Sequence, residues 1–392
     1  MFMIRYLTAG ESHGKALVGI VEGMPAGIEI SADYINHQLW RRQQGYGRGG
    51  RMKIESDKVE IISGVRFGKS IGSPIALIIH NNDWKNWTET MSIDGKGEGI
   101  DKINIPRPGH ADYCGAMKYG FDDLRNVIER SSARETAMRV ACCTIARKLL
   151  EECGIFIGSH VLGIGSAEIK KRNKIDQLIR KYSTKTPNHI FNLSKEADFS
   201  DVRILDKEIE SKAILEIKRA KKRGDTLGGI FEILASGLPI GLGSYVQYDR
   251  KIDGQLAQAL ISIQAIKGIE IGEGFNNARK FGSEVHDEFC LRDSKIDRKT
   301  NRAGGLEGSI SNGQMLILRA AMKPIATLAK SLNSINLKSN KTVVSRYERS
   351  DVCAVPAASV IGESVIAPVL ANAFLEKYGG DSLKEIQARL TE

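Results

Sequence analysis

Residues 133–152 form a predicted helix that is apolar almost all round, and this stretch constrains the fold more than any other. Ala137, Val140, Ile145 and Leu149 recur at helical spacing along it. A helix without a polar face must be surrounded by other elements, because no side of it suits water. We therefore predict a layered fold with this helix in its core.

The remaining elements are indicated by periodicity and turn residues. Helices are predicted over residues 31–45, with Ser31 as N-cap, and over 253–268, ended by Gly268; strands are predicted over 58–65 and 74–80. Regular β-α-β alternation is missing, which argues against a doubly wound parallel sheet. The pattern favours an α/β (α+β) fold with paired sheets around buried helices.

One pentapeptide pattern occurs twice. G-M-P-A-G at 23–27 and G-L-P-I-G at 237–241 each follow an apolar run and lie upstream of a helix. The repeat indicates two related β-hairpin-plus-helix units. No flexible linker separates them, so residues 1–392 are predicted to form a single domain, with a variable, lysine-rich part at 165–222.

The charge balance favours an anionic partner. The chain has 392 residues, of which 57 are basic and 47 acidic, for a formal charge of +10. Part of the excess lies in lysine-rich stretches that are typical of solvated surfaces, so nucleic acid, a membrane surface and phosphorylated small molecules all stay open on charge alone.

Other features favour a cytoplasmic protein. No apolar run approaches the length of a membrane span. Arg5 and Glu11 stand too early for a signal peptide. The six cysteines include no C-x-x-C pair that could seed a zinc or redox site.

Two short motifs match well-known expressions in the wrong context. "GYGRGG" (45–50) satisfies G-x-G-x-x-G, but a helix precedes it and a strand-like segment follows, so we reject a dinucleotide fold. "GESHG" (10–14) satisfies the nucleophile-elbow pattern, but a strand rather than a helix follows, which argues against Ser12 as a hydrolase nucleophile.

Histidines and arginines mark the candidate site. His13 stands between polar and glycine residues, and His110 follows a Pro-Gly turn. Arginines cluster around the glycine loop, around His110 and before Asp351. Guanidinium groups bind phosphate and carboxylate in a bidentate manner, so these clusters predict anion binding.

The octet "ERSSARET" (129–136) combines a helix start with two arginines. Ser132 and Glu135 have the spacing of a capping box, which is a sufficient structural explanation of the serine and the glutamate. Because Arg130 and Arg134 flank the free N–H groups of the helix start, we interpret the octet as an anion site on the buried helix.

Taken together, the motifs resemble those of one enzyme family. They are G-E-S-H-G, R-R-x-x-G-Y-G-R-G-G-R, R-P-G-H-A-D, E-R-S-S-A-R-E-T, S-I-Q-A-I-K-G, G-G-L-E-G-S-I-S-N-G, M-K-P-I-A-T-L and E-R-S-D-V-C-A-V-P-A-A-S-V-I-G-E. They occur in order over roughly residues 5 to 365 and look like chorismate synthase; the weakest resemblance is at 165–222.

The resemblance implies conversion of 5-enolpyruvylshikimate 3-phosphate to chorismate with loss of phosphate, the last step of the shikimate pathway. It implies reduced FMN as cofactor although no net electrons are exchanged, with NADPH as a possible electron source. The family's fold, antiparallel sheets sandwiching helices with internal pseudo-symmetry, agrees with the repeated turn.

The resemblance also implies residue roles. His13 would be a general acid near the departing phosphate, His110 a partner of the reduced flavin, and Asp351 an aid to deprotonation. Substrate binding is expected from Arg42, Arg48, Arg51, Arg107, Arg134 and Arg349, with NADP as an alternative ligand of Arg42 and Arg48. Flavin contacts are expected from Arg130, Ser131, Ser132, Gln264, Ala265, Gly308, Lys323, Pro324, Ile325, Ala326, Thr327 and Arg349.

The family resemblance further implies a homotetramer. We also expect a separate flavin reductase, because no extra segment for flavin reduction is apparent. Neither nucleic acid nor membrane is an expected partner, since only 6% of residues are aromatic and base-stacking side chains are not interleaved with the basic ones.

Overall fold

The fold consists of two antiparallel sheets with helices between them. The computed structural model describes residues 3–49, 56–182, 189–348 and 350–390. The first sheet has the order β1-β2-β6-β3, and the second β10-β15-β9-β7-β8. The described residues also form four two-stranded ribbons outside these two sheets.

The strands are β1 (Arg5–Ala9), β2 (Ala16–Glu22), β3 (Val59–Ile61), β4 (Val65–Arg66), β5 (Lys69–Ser70), β6 (Ile75–His80), β7 (Phe156–Ile164), β8 (Ala167–Glu168), β9 (Gly229–Ser236), β10 (Ile266–Ile271), β11 (Phe289–Arg292), β12 (Lys295–Arg298), β13 (Leu306–Glu307), β14 (Ile310–Ser311), β15 (Leu316–Met322), β16 (Asn333–Asn336) and β17 (Lys341–Val344). The helices are α1 (Ala32–Gln43), α2 (Asp112–Tyr119), α3 (Arg125–Ser131), α4 (Glu135–Glu152), α5 (Arg172–Tyr182), α6 (His189–Asp198), α7 (Lys207–Lys222), α8 (Ile252–Ile261), α9 (Gly274–Asn277), α10 (Gly282–Val285), α11 (Val355–Tyr378) and α12 (Leu383–Leu390).

Helix α4 lies at the centre, as its apolar sequence predicts. It packs on β1, β2 and β6 of the first sheet, on β7 of the second, and on α11. At Gly19 of β2 an added Cβ would lie 2.4 Å from the sulfur of Cys142 and 2.6 Å from that of Met138. Only glycine allows the strand to approach the helix this closely, so the prediction of a buried helix is confirmed.

Helix α11 is the second central helix. In length and composition it could cross a membrane, alone among the helices of the described residues, but 89% of its most apolar window is buried inside the protein. It packs on α1, α4, α8, β7 and β9. A core helix needs apolar side chains on all sides, as a membrane-spanning helix does. Because α11 is buried inside the protein, it is a core helix.

The two repeated turns have the same backbone conformation. Gly23 and Gly237 open them with φ of +79° and +80°, a region that favours glycine. The strands of both sheets follow the same order, with β1, β2, β6 and β3 matching β7, β9, β15 and β10, and each turn comes directly after the second strand of its set. The prediction of two related hairpin-plus-helix units is confirmed, with α1 and α8 as the helices.

A buried serine closes each repeated turn in the same way. Ser70 Oγ donates to Pro25 O at 2.6 Å, and Ser311 Oγ donates to Pro239 O at 2.6 Å. Each hydroxyl also accepts the backbone N–H of the residue directly after the turn, that of Ile28 at 2.9 Å and that of Leu242 at 2.8 Å. The pseudo-symmetry therefore extends to individual hydrogen bonds.

Two local predictions are wrong. The helix predicted over 253–268 ends at Ile261, and residues Ile266–Ile271 form strand β10 instead. Ala265 lies between them with φ +67°, which ends helical geometry, and β10 then pairs with β15. Tertiary strand pairing thus overrides the helical spacing of the isoleucines.

The capping box predicted at the start of α4 is also wrong. Ser132 ends α3 in an extended conformation, and α4 begins at Glu135. The Glu135 carboxylate accepts from Thr8 and Gln264 rather than from the backbone of Ser132. The short helix α3 and the long helix α4 meet at this point, which frees the octet's side chains for other contacts.

A buried ion cluster joins α11 to the rest of the core. Glu363 is fully buried and accepts from Arg41 at 2.7 and 2.9 Å, from Arg147 at 2.7 Å and from Arg203 at 3.2 Å. Burial acts to raise the pKa of Glu363, but the surrounding guanidinium groups outweigh it and hold that pKa far below its usual range. The carboxylate is therefore an anion that binds α1, α4 and the segment before α7 to α11.

Candidate active site

The candidate site lies where the segments after two equivalent strands meet. The segment after β6 carries His110 and Arg134, and the segment after β15 carries the loop 323–327 and Asp351. Lys323 Nζ donates to Gly109 O at 2.8 Å, which joins the two segments. The turn between β1 and β2 adds His13. Each half of the fold thus supplies part of the site.

His13 is held by a buried glutamate. Its Nδ1 lies 2.9 and 3.0 Å from the two carboxylate oxygens of Glu129, and its backbone N–H donates to the same carboxylate at 2.8 Å. Its ring stacks on Trp87 with centroids 3.9 Å apart. The neighbouring Ser12 donates from Oγ to Ser132 at 3.0 Å, in a strand-turn-strand context that does not suit a hydrolase elbow.

His110 is held by a buried aspartate and an arginine. Its Nδ1 lies 2.6 Å from Asp112 Oδ1, and the Asp112 side chain is fully buried. Arg107 donates to the same carboxylate through Nε at 2.8 Å and Nη2 at 3.0 Å. Burial acts to raise the pKa of Asp112, but the bonds from His110 and Arg107 keep it well below its usual range. The aspartate is an anion that orients both partners.

Arg42 and Arg134 share one buried carboxylate. Arg134 donates through Nη1 to Asp57 Oδ1, and Arg42 Nη1 lies 3.4 Å from Asp57 Oδ2. Asn81 Oδ1 accepts from Arg134 at 2.9 and 3.0 Å, and Thr136 Oγ1 accepts from Arg42 at 3.0 Å. Two guanidinium groups and one carboxylate leave a buried excess of positive charge, which suits an anionic ligand.

Burial affects the chemistry of Arg42 directly. It lowers the pKa of Arg42 to about 10, against the opposing pull of Asp57, and the positive charges of Arg48 and Arg134 act in the same direction. A further anion at this position would relieve the repulsion between the three groups. The electrostatics therefore agree with the predicted anion site at the start of α4.

Arg48 pairs with Asp351. Arg48 Nη1 lies 3.3 Å from Asp351 Oδ2, and Gly49 N donates to Asp351 Oδ1 at 2.6 Å. This brings the glycine loop after α1 against the segment before α11. The predicted residues Arg51 and Arg349 lie outside the described residues.

The α3–α4 junction forms another part of the site. Arg130 donates to Gly10 O at 3.0 Å and to Thr8 O at 2.9 Å. Within the described part of the chain, Ser131 Oγ and Gln264 Oε1 are buried without a hydrogen-bond partner. Buried polar atoms are rarely left unpaired, so these two indicate a place for a ligand with polar groups.

The loop after β15 contacts the His110 turn. Thr327 Oγ1 accepts from Arg107 at 3.0 Å, and Ala326 lies against Gly109. Ile325 O accepts from Thr226 at 2.7 Å, and Lys323 N donates to Ala265 O at 2.9 Å. Pro324 completes this loop. Gly308 lies in the turn between β13 and β14, where the adjacent Ser309 donates to Asp253.

Sequence reasoning missed the carboxylates that orient the site. Glu129 is the first residue of the octet "ERSSARET" but received no role, and Asp57 carries no local signal at all. Trp87 was likewise not singled out. Within the described residues no group of three or more His, Cys, Asp or Glu could hold a metal ion. The arrangement offers anion binding and two oriented histidines.

Comparison with known proteins gives consistent matches. A family model described as "Chorismate synthase" matches residues 4–375. A chorismate synthase of Pelodictyon phaeoclathratiforme is 60% identical over 391 residues, covering 99% of this chain and 97% of its own. One of Chlorobium limicola is 59% identical over 391 residues, with the same coverages. A crystal structure of chorismate synthase superposes with a TM-score of 0.77 at 43% identity, covering 99% of this chain and 96% of that one.

Proposed function

Because the chain belongs to the chorismate synthase family, we propose that the site described above binds 5-enolpyruvylshikimate 3-phosphate. The activity follows from the family: the chain is a carbon–oxygen lyase that forms chorismate with release of phosphate, the last step of the shikimate pathway to aromatic amino acids. The observation that carries the site proposal is the group of buried guanidiniums beside two histidine–carboxylate pairs.

Substrate binding is assigned to arginines whose positions are already fixed. Arg42, Arg107 and Arg134 are nearly fully buried and held by hydrogen bonds, so little side-chain entropy is lost when they bind phosphate and carboxylates. Arg48, Arg51 and Arg349 complete the proposed set. For Arg42 and Arg48 we favour the substrate over NADP, because Arg42 is bonded to the α4 start beside Arg134.

The family's reaction uses a reduced flavin, and we propose that this is FMN bound by the twelve residues named for it from the sequence. The unpaired Ser131 hydroxyl and Gln264 carbonyl support this, since a flavin ring edge offers both donors and acceptors. The strained φ of +67° at Ala265 is a further sign of a functional position. When bound, the reduced flavin supplies electron density to the substrate and recovers it, without net redox change.

Protein side chains handle the protons. His13 is the proposed general acid that donates a proton to the departing phosphate. His110, oriented by Asp112, is the proposed polar partner of the flavin. Asp351 is the proposed proton acceptor. Its carboxylate accepts from the backbone N–H of Gly49 and pairs with Arg48.

The test is anaerobic turnover with chemically reduced FMN, following chorismate absorbance and phosphate release. We expect product with reduced but not with oxidised FMN. His13→Ala and His110→Ala should each lower kcat by roughly 10²-fold or more, whereas His286→Ala, an exposed histidine, should leave it unchanged. Full activity of both site variants would contradict the assignment of the site.

We propose that a separate reductase supplies the reduced flavin. Anaerobic assays with oxidised FMN and NADPH, without added reductase, should then give no chorismate. Product in that assay would mean that the chain reduces its own flavin.

We propose a homotetramer in the cytoplasm. The outer face of the first sheet is apolar and exposed, with Leu7 72% and Ile20 43% accessible on adjacent strands. An exposed apolar sheet face on a single chain is typical of a protein interface. Ile20→Lys should dissociate the assembly, as measured by light scattering over a concentration series, whereas Lys218→Glu, in α7, should not; an unchanged mass for Ile20→Lys would remove this face from the interface.

A further inference from the structure

Glu129 makes more contacts to the His13 turn than orientation of one side chain requires. Its carboxylate accepts from the His13 ring Nδ1 and from the His13 backbone N–H, and its own carbonyl accepts from Ser12 N at 3.0 Å. Arg125, one helical turn earlier, donates to the same carboxylate at 3.1 Å. The side chain of Glu129 has no exposed surface.

The carboxylate stays ionised although it is buried. Burial acts to raise the pKa of Glu129, but the hydrogen bonds and charge of His13 and the bond from Arg125 hold that pKa below its usual value. An ionised carboxylate can only accept hydrogen bonds, so Nδ1 of His13 carries a hydrogen. Proton exchange by the ring then takes place at Nε2.

The ring face also favours a cation. Trp87 stacks on the imidazole at 3.9 Å with planes 22° apart, and an aromatic face attracts positive charge. The other charged groups near this stack are Arg125, which lies 5.1 Å from the Trp87 ring, and Asp83, which accepts from Trp87 Nε1 at 3.0 Å. Glu11 and Lys15 flank His13 on its own turn.

His110 has a contrasting environment. Its ring nitrogens lie 3.0 and 3.3 Å from Nη2 of Arg107, a group that is positively charged and can only donate. Nδ1 of His110 also lies 2.6 Å from the ionised Asp112, so this ring has a carboxylate and a guanidinium beside it, whereas the carboxylate-bound ring of His13 stacks on Trp87.

We propose that Glu129 is the positioning residue that fixes the Nδ1–H tautomer of His13 and stabilises its imidazolium form, with Trp87 as the platform for the ring. Glu129 is not expected to touch the substrate. The inference rests on the proposed role of His13 as general acid, and it assigns to the first residue of "ERSSARET" a part in proton transfer.

The first test is the pH profile of kcat for Glu129→Gln. We expect kcat to fall by roughly 10²-fold with KM changed less than about threefold, because only the proton donor is affected. Removing the negative charge disfavours the imidazolium, so the limb on which activity is lost with rising pH should move to lower pH by about one unit. The same change at a buried His–Glu pair elsewhere, Glu232→Gln beside His160, should leave the limb in place.

A second measurement separates this inference from the role of His13. Histidine ¹⁵N spectra of the enzyme alone, with the His13 signal assigned by His13→Asn, report which ring nitrogen carries hydrogen. We expect Nδ1–H in the native protein and a mixture of tautomers in Glu129→Gln. If His13→Ala abolishes turnover but the His13 tautomer and the pH limb are unchanged in Glu129→Gln, the inference is wrong and the proposed function stands.

The converse outcome is equally informative. If His13→Ala keeps full turnover while Glu129→Gln changes the tautomer, the general-acid role fails and Glu129 still sets the state of the ring. Should Glu129→Gln not fold by circular dichroism, Glu129→Asp retains the charge at a shorter reach. It should lower kcat and leave the pH limb in place, and a limb that moves as well would overturn the proposal.

Discussion

The two sheets share a strand order but not an environment. The outer face of the second sheet carries a ladder of charges across four strands, in which His160, Glu232, Arg319 and Glu270 stand side by side. Helices α5 and α6, inserted between β8 and β9, lie over it, and Arg172 of α5 bonds Glu232 at 3.0 Å. The outer face of the first sheet is apolar at its centre, with Arg5, Glu22, Glu60 and His80 at its margins, and within the described residues no helix lies between β1 and β2. Two sheets with the same strand order can thus have their outer faces covered in different ways. Helices of the same chain cover the second sheet, and we propose that a second copy of the chain covers the first.

The largest expected effect concerns the cluster that joins the two halves. Glu363→Gln leaves three buried guanidinium groups without their shared anion, so the free energy of unfolding should fall by about 3–5 kcal/mol. Denaturant unfolding measures this. Turnover below the melting transition should be unchanged, since Glu363 contacts none of the proposed site residues that the structure describes. A loss under about 1 kcal/mol would mean that the halves are held together by apolar packing alone.

Acid should weaken the charged sheet face more than the apolar one. Burial acts to raise the pKa of Glu232, but bonds and charges from His160, Arg172 and Arg319 lower it from 4.5 to about 2. A depressed folded pKa contributes stability above the unfolded value, and this is lost as pH falls from about 4.5 towards 2. The contribution is on the order of 3 kcal/mol.

Unfolding free energies at about pH 7 and about pH 3 test this for the native chain and Glu232→Gln. The variant should lose less stability on acidification than the native chain, because it lacks the titrating group. Equal losses would show that the ladder does not contribute to acid sensitivity.

The two closing serines should be equivalent. Ser70→Ala and Ser311→Ala each remove a buried hydroxyl that both donates and accepts, and each should cost about 1–3 kcal/mol. Ser339→Ala, at an exposed position, should stay within about 0.5 kcal/mol. If the two substitutions lower the free energy of unfolding by clearly different amounts, the two turns are not energetically equivalent.

The smallest effect concerns backbone strain. Ala265→Gly relieves a positive φ and should raise the free energy of unfolding by up to about 1 kcal/mol, while turnover falls because the adjacent Gln264 is less firmly placed. Asn340→Gly, with φ +52° in an exposed turn, should change the free energy of unfolding less, because asparagine tolerates this conformation, and should leave turnover intact. Falling turnover in both variants would argue against a special role for Ala265.

Elements with strong local signals could be predicted from the sequence. Helix α1 begins after Ser31, whose hydroxyl accepts from Tyr34 N as the N-cap signal indicates, and α4 covers nearly the expected residues. The second half of residues 253–268 could not be predicted, since its strand depends on pairing with β15, some fifty residues further on.

In the proposed site, the residues that would bind ligands carry a local sequence signal, whereas the residues that support them do not. Histidines and arginines beside glycine carry a local signal, because those residue types bind anions. Asp57 and Glu129 meet their partners Arg134 and His13 across 77 and 116 residues of sequence. No window of neighbouring residues contains such pairs, so only the fold reveals them.

The contact between the two central helices also has a consequence for folding during synthesis on the ribosome. Helix α4 ends at Glu152, whereas its partner α11 begins at Val355. At roughly 5–20 residues per second, a ribosome needs about 10–40 s to synthesise the intervening chain. During that interval an all-round apolar helix is present without one of its neighbours, so the nascent first half depends on temporary shielding by chaperones or by its own partial collapse until α11 has been synthesised.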